Sequence, residues 1–132
     1  MRFTSLANSR KYYLQALKAN EISQRYNRYV SNYDVCIKYI ISDLINSQYD
    51  FMDFCHHAVI YLAKEDSKNN TNFLETLKYY IYFTNSPNDA IHRNTLFYRI
   101  NKIKQLTNIT LDNADEILHI YYSIELIEIN NK

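Results

Sequence analysis

The sequence predicts an all-α protein of about six helices. It has no Gly and one Pro in 132 residues, which makes tight hairpin turns improbable. Apolar residues instead recur at the three-and-four spacing of amphipathic helices. At 47% hydrophobic residues, the chain can bury one domain's core. The lack of Gly also excludes glycine-rich phosphate loops, and with them the main support for a nucleotide-binding α/β fold.

The first two helices are predicted from apolar spacing in the first third of the chain. Helix one is expected from Ser5 to about Tyr29, with a basic outer face and an apolar stripe at Leu6, Tyr13, Leu14, Leu17 and Tyr26. The cluster Ser31-Asn32-Tyr33-Asp34 offers a turn and an N-cap. Helix two should then run from Val35 to Ile45 and bury Ile37, Ile40, Ile41, Leu44 and Ile45.

The middle of the chain predicts two more helices. Asp50 can cap a third helix that carries apolar residues from Phe51 to Leu62, and the polar run from Glu65 to Asn72 indicates a loop. A fourth helix is expected to begin at Asn72, whose side chain can form a capping box with Glu75.

Two helices remain at the C-terminal end. The segment from Thr84 to Asp89 contains Pro87 and interrupts the pattern. A helix is predicted from about Asn94 to Leu106, and Thr107 to Leu111 forms a connector. Asp112 is a candidate N-cap for the last helix.

The charges are unevenly distributed, although the formal net charge is only +1. Residues 1–28 carry six cations and one acid, and residues 85–110 carry four cations and one acid. The segments 29–66 and 111–132 are acidic. A polyanion can be attracted by local positive segments whatever the total charge is, and solvated helix faces are the alternative explanation.

Cysteine usage and hydropathy indicate a cytoplasmic, soluble protein without a membrane segment. Cys36 and Cys55 form no CxxC pair and are interpreted as buried thiols. The N-terminus lacks the apolar core of a signal peptide, and the longest apolar runs are too short to span a bilayer.

The segment Ile91-His92-Arg93-Asn94-Thr95-Leu96-Phe97-Tyr98-Arg99-Ile100 resembles the C-terminal helix-turn-helix of the PucR-type transcription regulators, a group that includes purine-catabolism and sugar-diacid regulators. The resemblance extends upstream to Asp66 and the segment 72–77, and downstream through Leu106-Thr107 to the last helix. More weakly, residues 5–34 are similar to the end of the sensor domain that precedes the DNA-binding domain in these regulators. The resemblance therefore divides the chain into 1–34, the sensor-like basic helix, and 35–132, the helical domain with a helix-turn-helix at 84–106.

Two features depart from the family pattern. The stretch between Ile81 and Ile91, where the family has the first helix of the reading pair, is several residues shorter and leaves room for about one helical turn. That supporting helix normally crosses the phosphate backbone and fixes its partner in the groove. Gly is also missing at the family's loop positions, which predicts altered turns.

The resemblance implies a transcriptional regulator that binds duplex DNA, as a homodimer on paired half-sites. Short polar side chains and free amides at the start of the recognition helix suit phosphates and base edges. Arg99 and Lys102, three residues apart, suit phosphate anchoring, and a salt bridge to the acidic last helix is the alternative for Arg99. The predicted DNA-binding residues are His92, Arg93, Asn94, Thr95, Phe97, Tyr98, Arg99 and Lys102.

The alternative function is a helical protein-protein interaction or dimerisation module. In that case the shortened helix-turn-helix no longer binds DNA, and aromatic-rich faces bind a second copy or another protein. No enzyme activity, cofactor or metal is expected. Cys55-His56-His57 suggests zinc only superficially, because adjacent helical residues diverge by about 100° and no spaced ligand pair exists.

Overall fold

The computed structural model describes residues 6–26, 33–83 and 90–131, and the side chains of 8–26, 36–82 and 94–131. Within these ranges the protein has six α-helices and no strand, which confirms the predicted all-α class. The helices are α1 (Leu6–Arg25), α2 (Tyr33–Asn46), α3 (His57–Asn69), α4 (Phe73–Phe83), α5 (Ala90–Thr107) and α6 (Ala114–Asn130), and a 3₁₀ turn covers Phe51–Phe54. None of the described helices is long and apolar enough to cross a membrane.

The chain forms two compact units, residues 1–49 and residues 50–132. The first unit contains α1 and α2, and the second contains the 3₁₀ turn and α3 to α6. The division of the chain at residue 34 rests on the family resemblance of the two segments and stays a prediction.

In the first unit, α1 and α2 pack through a small buried layer. Ile22 of α1 and Cys36 and Tyr39 of α2 are buried, and the rings of Tyr26 and Tyr39 lie 4.6 Å apart. The Asp43 carboxylate accepts hydrogen bonds from the guanidinium of Arg25 and from the hydroxyl of Tyr26. These polar contacts fix the relative register of the two helices.

The buried faces of α1 and α2 differ from the predicted stripes. Tyr13, Leu14 and Leu17 are exposed on α1, where Ile22 is the fully buried residue. On α2, Ile37 and Leu44 are exposed, whereas Cys36, Tyr39 and Ser42 are buried. The prediction was wrong because both helices carry apolar residues on two faces, and apolar spacing alone does not identify the face that meets the partner helix. Helix one was expected to end near Tyr29, but α1 ends at Arg25. In the cluster 31–34, where a turn and an N-cap were predicted, Ser31 and Asn32 lie outside the described residues, and Tyr33 and Asp34 are the first two residues of α2.

The second unit has the larger core. α4 packs on α3, α5 and α6, so it lies at the centre of this unit. The core residues come from all four helices and the loop after α5, namely Ala58, Val59, Leu62, Leu77, Ile100, Ile103, Ile109, Ile120, Ile124 and Ile127.

The predicted third helix is two elements. Asp50 does cap the segment, because its carboxylate accepts the Met52 N–H at 3.0 Å, but only the 3₁₀ turn follows. At Cys55 and His56 the backbone is extended. The His56 amide donates to the Ser123 hydroxyl at 2.8 Å, and its Nδ1 accepts the Ala58 N–H at 3.1 Å. His56 is therefore the N-cap of α3, a role that its residue type did not suggest.

α3 continues through most of the segment that was predicted to be a loop. Glu65 and Asn69 are joined by an i,i+4 hydrogen bond of 2.9 Å, and the helix ends at Asn70, which has a positive φ of 54°. Asn tolerates this left-handed conformation, which Gly usually supplies at a helix end. The polar residues are the solvent face of the last turns of α3.

Two predicted caps are replaced by neighbouring carboxylate or amide groups. At α4 the first-turn amides donate to Asp66 of α3, whereas a capping box of Asn72 and Glu75 was expected. At α6 the cap is Asn113, whose side chain accepts from the amides of residues 115 and 116, and Asp112 instead accepts from the Thr110 hydroxyl. At α6 the prediction missed the cap by one residue, because adjacent polar side chains can serve, whereas the cap of α4 comes from the preceding helix α3.

In the turn after α5, an Asn adopts the backbone conformation that Gly usually adopts at a helix end. Asn108, at the position where the resembling family has Gly, has a φ of 63°, and its amide donates to Lys104 O at 2.7 Å. Asn108 therefore ends α5 in the left-handed conformation that Gly would adopt.

Both cysteines are free and buried, which confirms their interpretation as buried thiols. Burial raises the pKa of each thiol. The Cys55 thiol also lies 3.9 Å from the backbone oxygen of Ser123 in α6.

Candidate nucleic-acid interface

The candidate interface is the solvent-exposed face of α5. This helix begins at Ala90 and ends at Thr107, so it includes the predicted 94–106 helix and starts four residues earlier. Its sequence contains four cations and no acid. The helix is anchored through Ile100 and Ile103, which are buried in the core of the second unit.

Six of the eight predicted DNA-binding side chains are described, and all six are exposed. They are Asn94, Thr95, Phe97, Tyr98, Arg99 and Lys102. Tyr98 is 72% exposed, the highest value for a large hydrophobic residue in the described part of the chain. His92 and Arg93 lie in α5, but their side chains are outside the described residues. The shortened supporting helix expected between Ile81 and Ile91 falls largely in 84–89, which is also outside them.

Two of these side chains also contact α4. The ring of Phe97 meets the ring of Tyr80 edge to face, with centroids 6.3 Å apart. The Lys102 Nζ lies 6.0 Å from the centre of the Phe73 ring, at the limit of a cation–π contact. Phe97 and Lys102 are thus partly oriented by α4 while they stay accessible to solvent.

Arg99 lies at the edge of a groove between α4 and α5. The groove has a volume of about 310 Å³ and is lined by Asn72, Glu75, Thr76, Tyr79, Thr95, Leu96 and Arg99. Among the described residues Arg99 forms no ion pair, so the alternative of a salt bridge to α6 is not what the structure contains. Its guanidinium remains available to an anion.

The Asp66 carboxylate fixes the start of α4 under this face. One oxygen accepts the Phe73 N–H at 2.8 Å and the Thr71 hydroxyl at 2.6 Å, and the other accepts the Leu74 N–H at 3.1 Å. A carboxylate at a helix N-terminus satisfies amides that lack intrahelical partners and interacts favourably with the helix dipole. Asp66 therefore ties α3 to the helix on which α5 rests.

A partly buried ion-pair network joins α4 to α6. The Lys78 Nζ lies 3.1 Å from Glu125 Oε1 and 2.7 Å from Glu128 Oε2, and the Glu125 side chain is only 3% exposed. Burial lowers the pKa of Lys78, but the hydrogen bonds to the two carboxylates outweigh this and raise it overall. Burial, together with the Glu125 charge and hydrogen bond, raises the pKa of Tyr121 to about 12. The α4–α6 contact thus contains a polar network of fixed geometry.

The histidines near Cys55 do not form a metal site. The rings of His57 and His119 lie 4.4 Å and 5.1 Å from that of His56. The His56 Nδ1 is occupied as the cap of α3, and the His119 Nε2 lies 2.7 Å from Phe54 O. Within the described ranges no three His, Cys, Asp or Glu side chains are placed to hold a metal ion.

α5, a cationic helix with an exposed face, packs on α4, whose start is capped by Asp66 and which is joined to α6 by the Lys78 ion pairs. In a comparison with known families, residues 73–126 match the PucR C-terminal helix-turn-helix domain. This part of the chain is similar to that domain, as the sequence resemblance predicted.

The curated relatives are transcription regulators. The chain is 25% identical over 132 residues to the DNA-binding transcriptional activator AdeR of Bacillus subtilis, covering 94% of this chain and 31% of that protein. It is 26% identical over 120 residues to the proline-responsive transcriptional activator PutR of the same organism, covering 87% of this chain and 29% of that protein. A segment of 38 residues, 29% of this chain, is 50% identical to 10% of the carbohydrate diacid regulator of Escherichia coli.

The chain spans about a third of the length of AdeR and PutR. No solved structure is significantly similar to the chain. The likeness to transcription regulators thus lies in residues 73–126 and in the segments aligned with these relatives, and the comparisons do not favour the alternative of a pure interaction module.

Proposed function

We propose that this chain binds duplex DNA through α5 and acts in transcription control as the DNA-reading part of a PucR-type regulator. The observation that carries the proposal is the combination of charge and exposure on α5. The helix has cations only, and Arg99 and Lys102 are exposed on a helix whose opposite side is anchored by Ile100 and Ile103. Its role is binding, with no cofactor, and a DNA partner implies a cytoplasmic location.

Within this proposal seven of the eight predicted DNA-binding residues have separate roles. Arg99 and Lys102 neutralise phosphates, and each contact adds about 0.9 to the dependence of log affinity on log salt. Asn94 and Tyr98 reach base edges, and Thr95, in the second turn of α5, reaches a phosphate. His92 and Arg93 come just before Asn94, in the first turn of α5, where helix N-termini favour anions.

We also propose that two copies act together. Helix-turn-helix regulators read paired half-sites about 34 Å apart, so a homodimer matches two copies of α5 to one face of the duplex. Sedimentation of the protein with a duplex should give the mass of two chains bound to one duplex, and sedimentation of the protein alone gives the reference mass. A complex of one chain per duplex at saturation would contradict this part of the proposal.

Titration of the protein onto a mixed duplex at two salt concentrations tests DNA binding. Wild-type protein should bind at low salt and weaken steeply as salt rises. The double variant R99A/K102A should lower the salt slope by about two. K64A is the matched control, since Lys64 is an exposed lysine on α3, and it should leave the slope unchanged. Absence of binding at low salt would refute the proposed function.

A further inference from the structure

The outward side of α5 is a neutral, amide-rich line of side chains. Asn94, Tyr98, Asn101 and Gln105 are all exposed and are separated by four, three and four residues. This spacing places them along one face of an α-helix.

The anchoring face of α5 has the same spacing, shifted by two residues. Leu96, Ile100, Ile103 and Thr107 follow each other at four, three and four residues, and the last three are buried. Two residues correspond to a rotation of roughly 200° about the helix axis. The neutral line is therefore opposite the core, at the part of α5 that projects furthest into solvent.

The cations of α5 flank this line on both sides. At 3.6 residues per turn, Lys102 and Arg99 fall on one flank, and Lys104, which is half-buried, falls on the other. A helix in the major groove faces base edges with its central line and the two phosphate backbones with its flanks. On α5 the neutral side chains lie on the central line and the cations lie on its flanks, as this binding mode requires.

Resting on the proposed function, we propose that Asn94, Tyr98, Asn101 and Gln105 form the base-reading line of α5 and that its carboxamides select adenine-bearing base pairs. A carboxamide has the donor and acceptor to pair with N7 and N6 of adenine in the major groove. Asn101 and Gln105 were not among the residues predicted from the sequence. The line covers 12 residues, from Asn94 to Gln105, which is about 16 Å of helix and thus on the order of five base steps.

The test compares sequence preference with salt dependence in two sets of variants. Wild-type protein first selects duplexes from a random pool, and N101A, Q105A, K102A and K104A are then measured on the selected duplex and on its single-base substitutions. N101A and Q105A should each lose about tenfold or more discrimination at a particular A·T pair and keep the wild-type salt slope. K102A and K104A should each lower the salt slope by about 0.9 and keep the base preference.

Two controls separate this inference from general loss of structure. Q48A removes an exposed amide in the first unit and K64A removes an exposed lysine on α3, and neither should change preference or slope. Melting curves should show that N101A and Q105A remain folded, since Ala favours a helix more than Asn or Gln.

The outcomes also distinguish this inference from the proposed function. If wild-type protein binds duplexes with a steep salt slope but N101A and Q105A keep the wild-type preference, the base-reading line is wrong and DNA binding stands. If wild-type protein binds no duplex even at low salt, both are wrong.

Discussion

The Asp66 carboxylate at the end of α3 accepts the backbone N–H of Phe73 at 2.8 Å, where α4 begins. α4 in turn packs against α5 and contacts it through the rings of Tyr80 and Phe97. A carboxylate seven residues before the helix therefore sets the position of the helix that supports the candidate interface.

Replacing Asp66 by Ala should lower the free energy of unfolding by about 1 to 2 kcal/mol, because the first amides of α4 lose their acceptor. Urea denaturation measures the change. D66N should retain part of the stability, since an amide oxygen can still accept. E65A, on the same helix, removes only a surface hydrogen bond to Asn69 and should stay within about 0.5 kcal/mol of wild type. Equal losses of unfolding free energy in D66A and E65A would contradict the role of Asp66 as the cap of α4.

Replacing Lys78 by Met should destabilise the second unit more strongly, by about 3 kcal/mol, because the Glu125 carboxylate would stay buried without its cation. The double variant K78M/E125L should regain most of the loss, since a buried ion pair can be replaced by apolar side chains. K68A, an exposed lysine of α3, is the control for loss of a positive charge. A K78M loss no larger than that of K68A would show that the ion pair is not important for stability.

His56 should make stability depend on pH below neutrality. Burial and the neighbouring His57 and His119 lower its pKa from the usual 6.5, against the opposing effect of Glu116. The unfolded chain therefore binds a proton first, so the free energy of unfolding should be constant above about pH 6.5 and fall as the pH drops below it. Protonation also removes the Nδ1 lone pair that caps α3.

H56N isolates this effect, because the Asn side chain can cap α3 but does not titrate. Thermal melting between pH 5 and about 8 should show a flatter profile for H56N than for wild type. H57N, which changes an exposed histidine of the same helix, should keep most of the wild-type slope. If the stability of H56N depended on pH as strongly as that of wild type, the pH dependence would come from groups other than His56.

The two buried thiols should report separately on the two compact units. Cys36 lies in the unit of residues 1–49 and Cys55 in the unit of residues 50–132. Each should react with a thiol reagent about tenfold or more slowly than in the unfolded chain, because reaction requires local opening. C55S measures Cys36 alone, and C36S measures Cys55 alone. A native rate equal to that of the unfolded chain would mean that the corresponding unit is open in solution.

The sequence predicted the helical class, the likeness of residues 73–126 to the PucR-type helix-turn-helix domain and the position of α5, because helical periodicity and a long family motif are local signals. It did not predict which face of α1 and α2 is buried, since Leu17 and Leu44 follow helical spacing as well as Ile22 and Cys36 do. It also missed the caps by His56 and Asp66, which are defined by tertiary contacts. The line through Asn101 and Gln105 could have been found from spacing alone once the buried face of α5 was known.

Chemical-shift mapping of the isotopically labelled protein with a selected duplex tests the central claim most directly. The account predicts that the largest shifts of backbone and side-chain amides occur on the outward face of α5, at Asn94, Asn101 and Gln105. Shifts concentrated on α6 or on the first unit, with the amides of α5 unchanged at saturation, would contradict it.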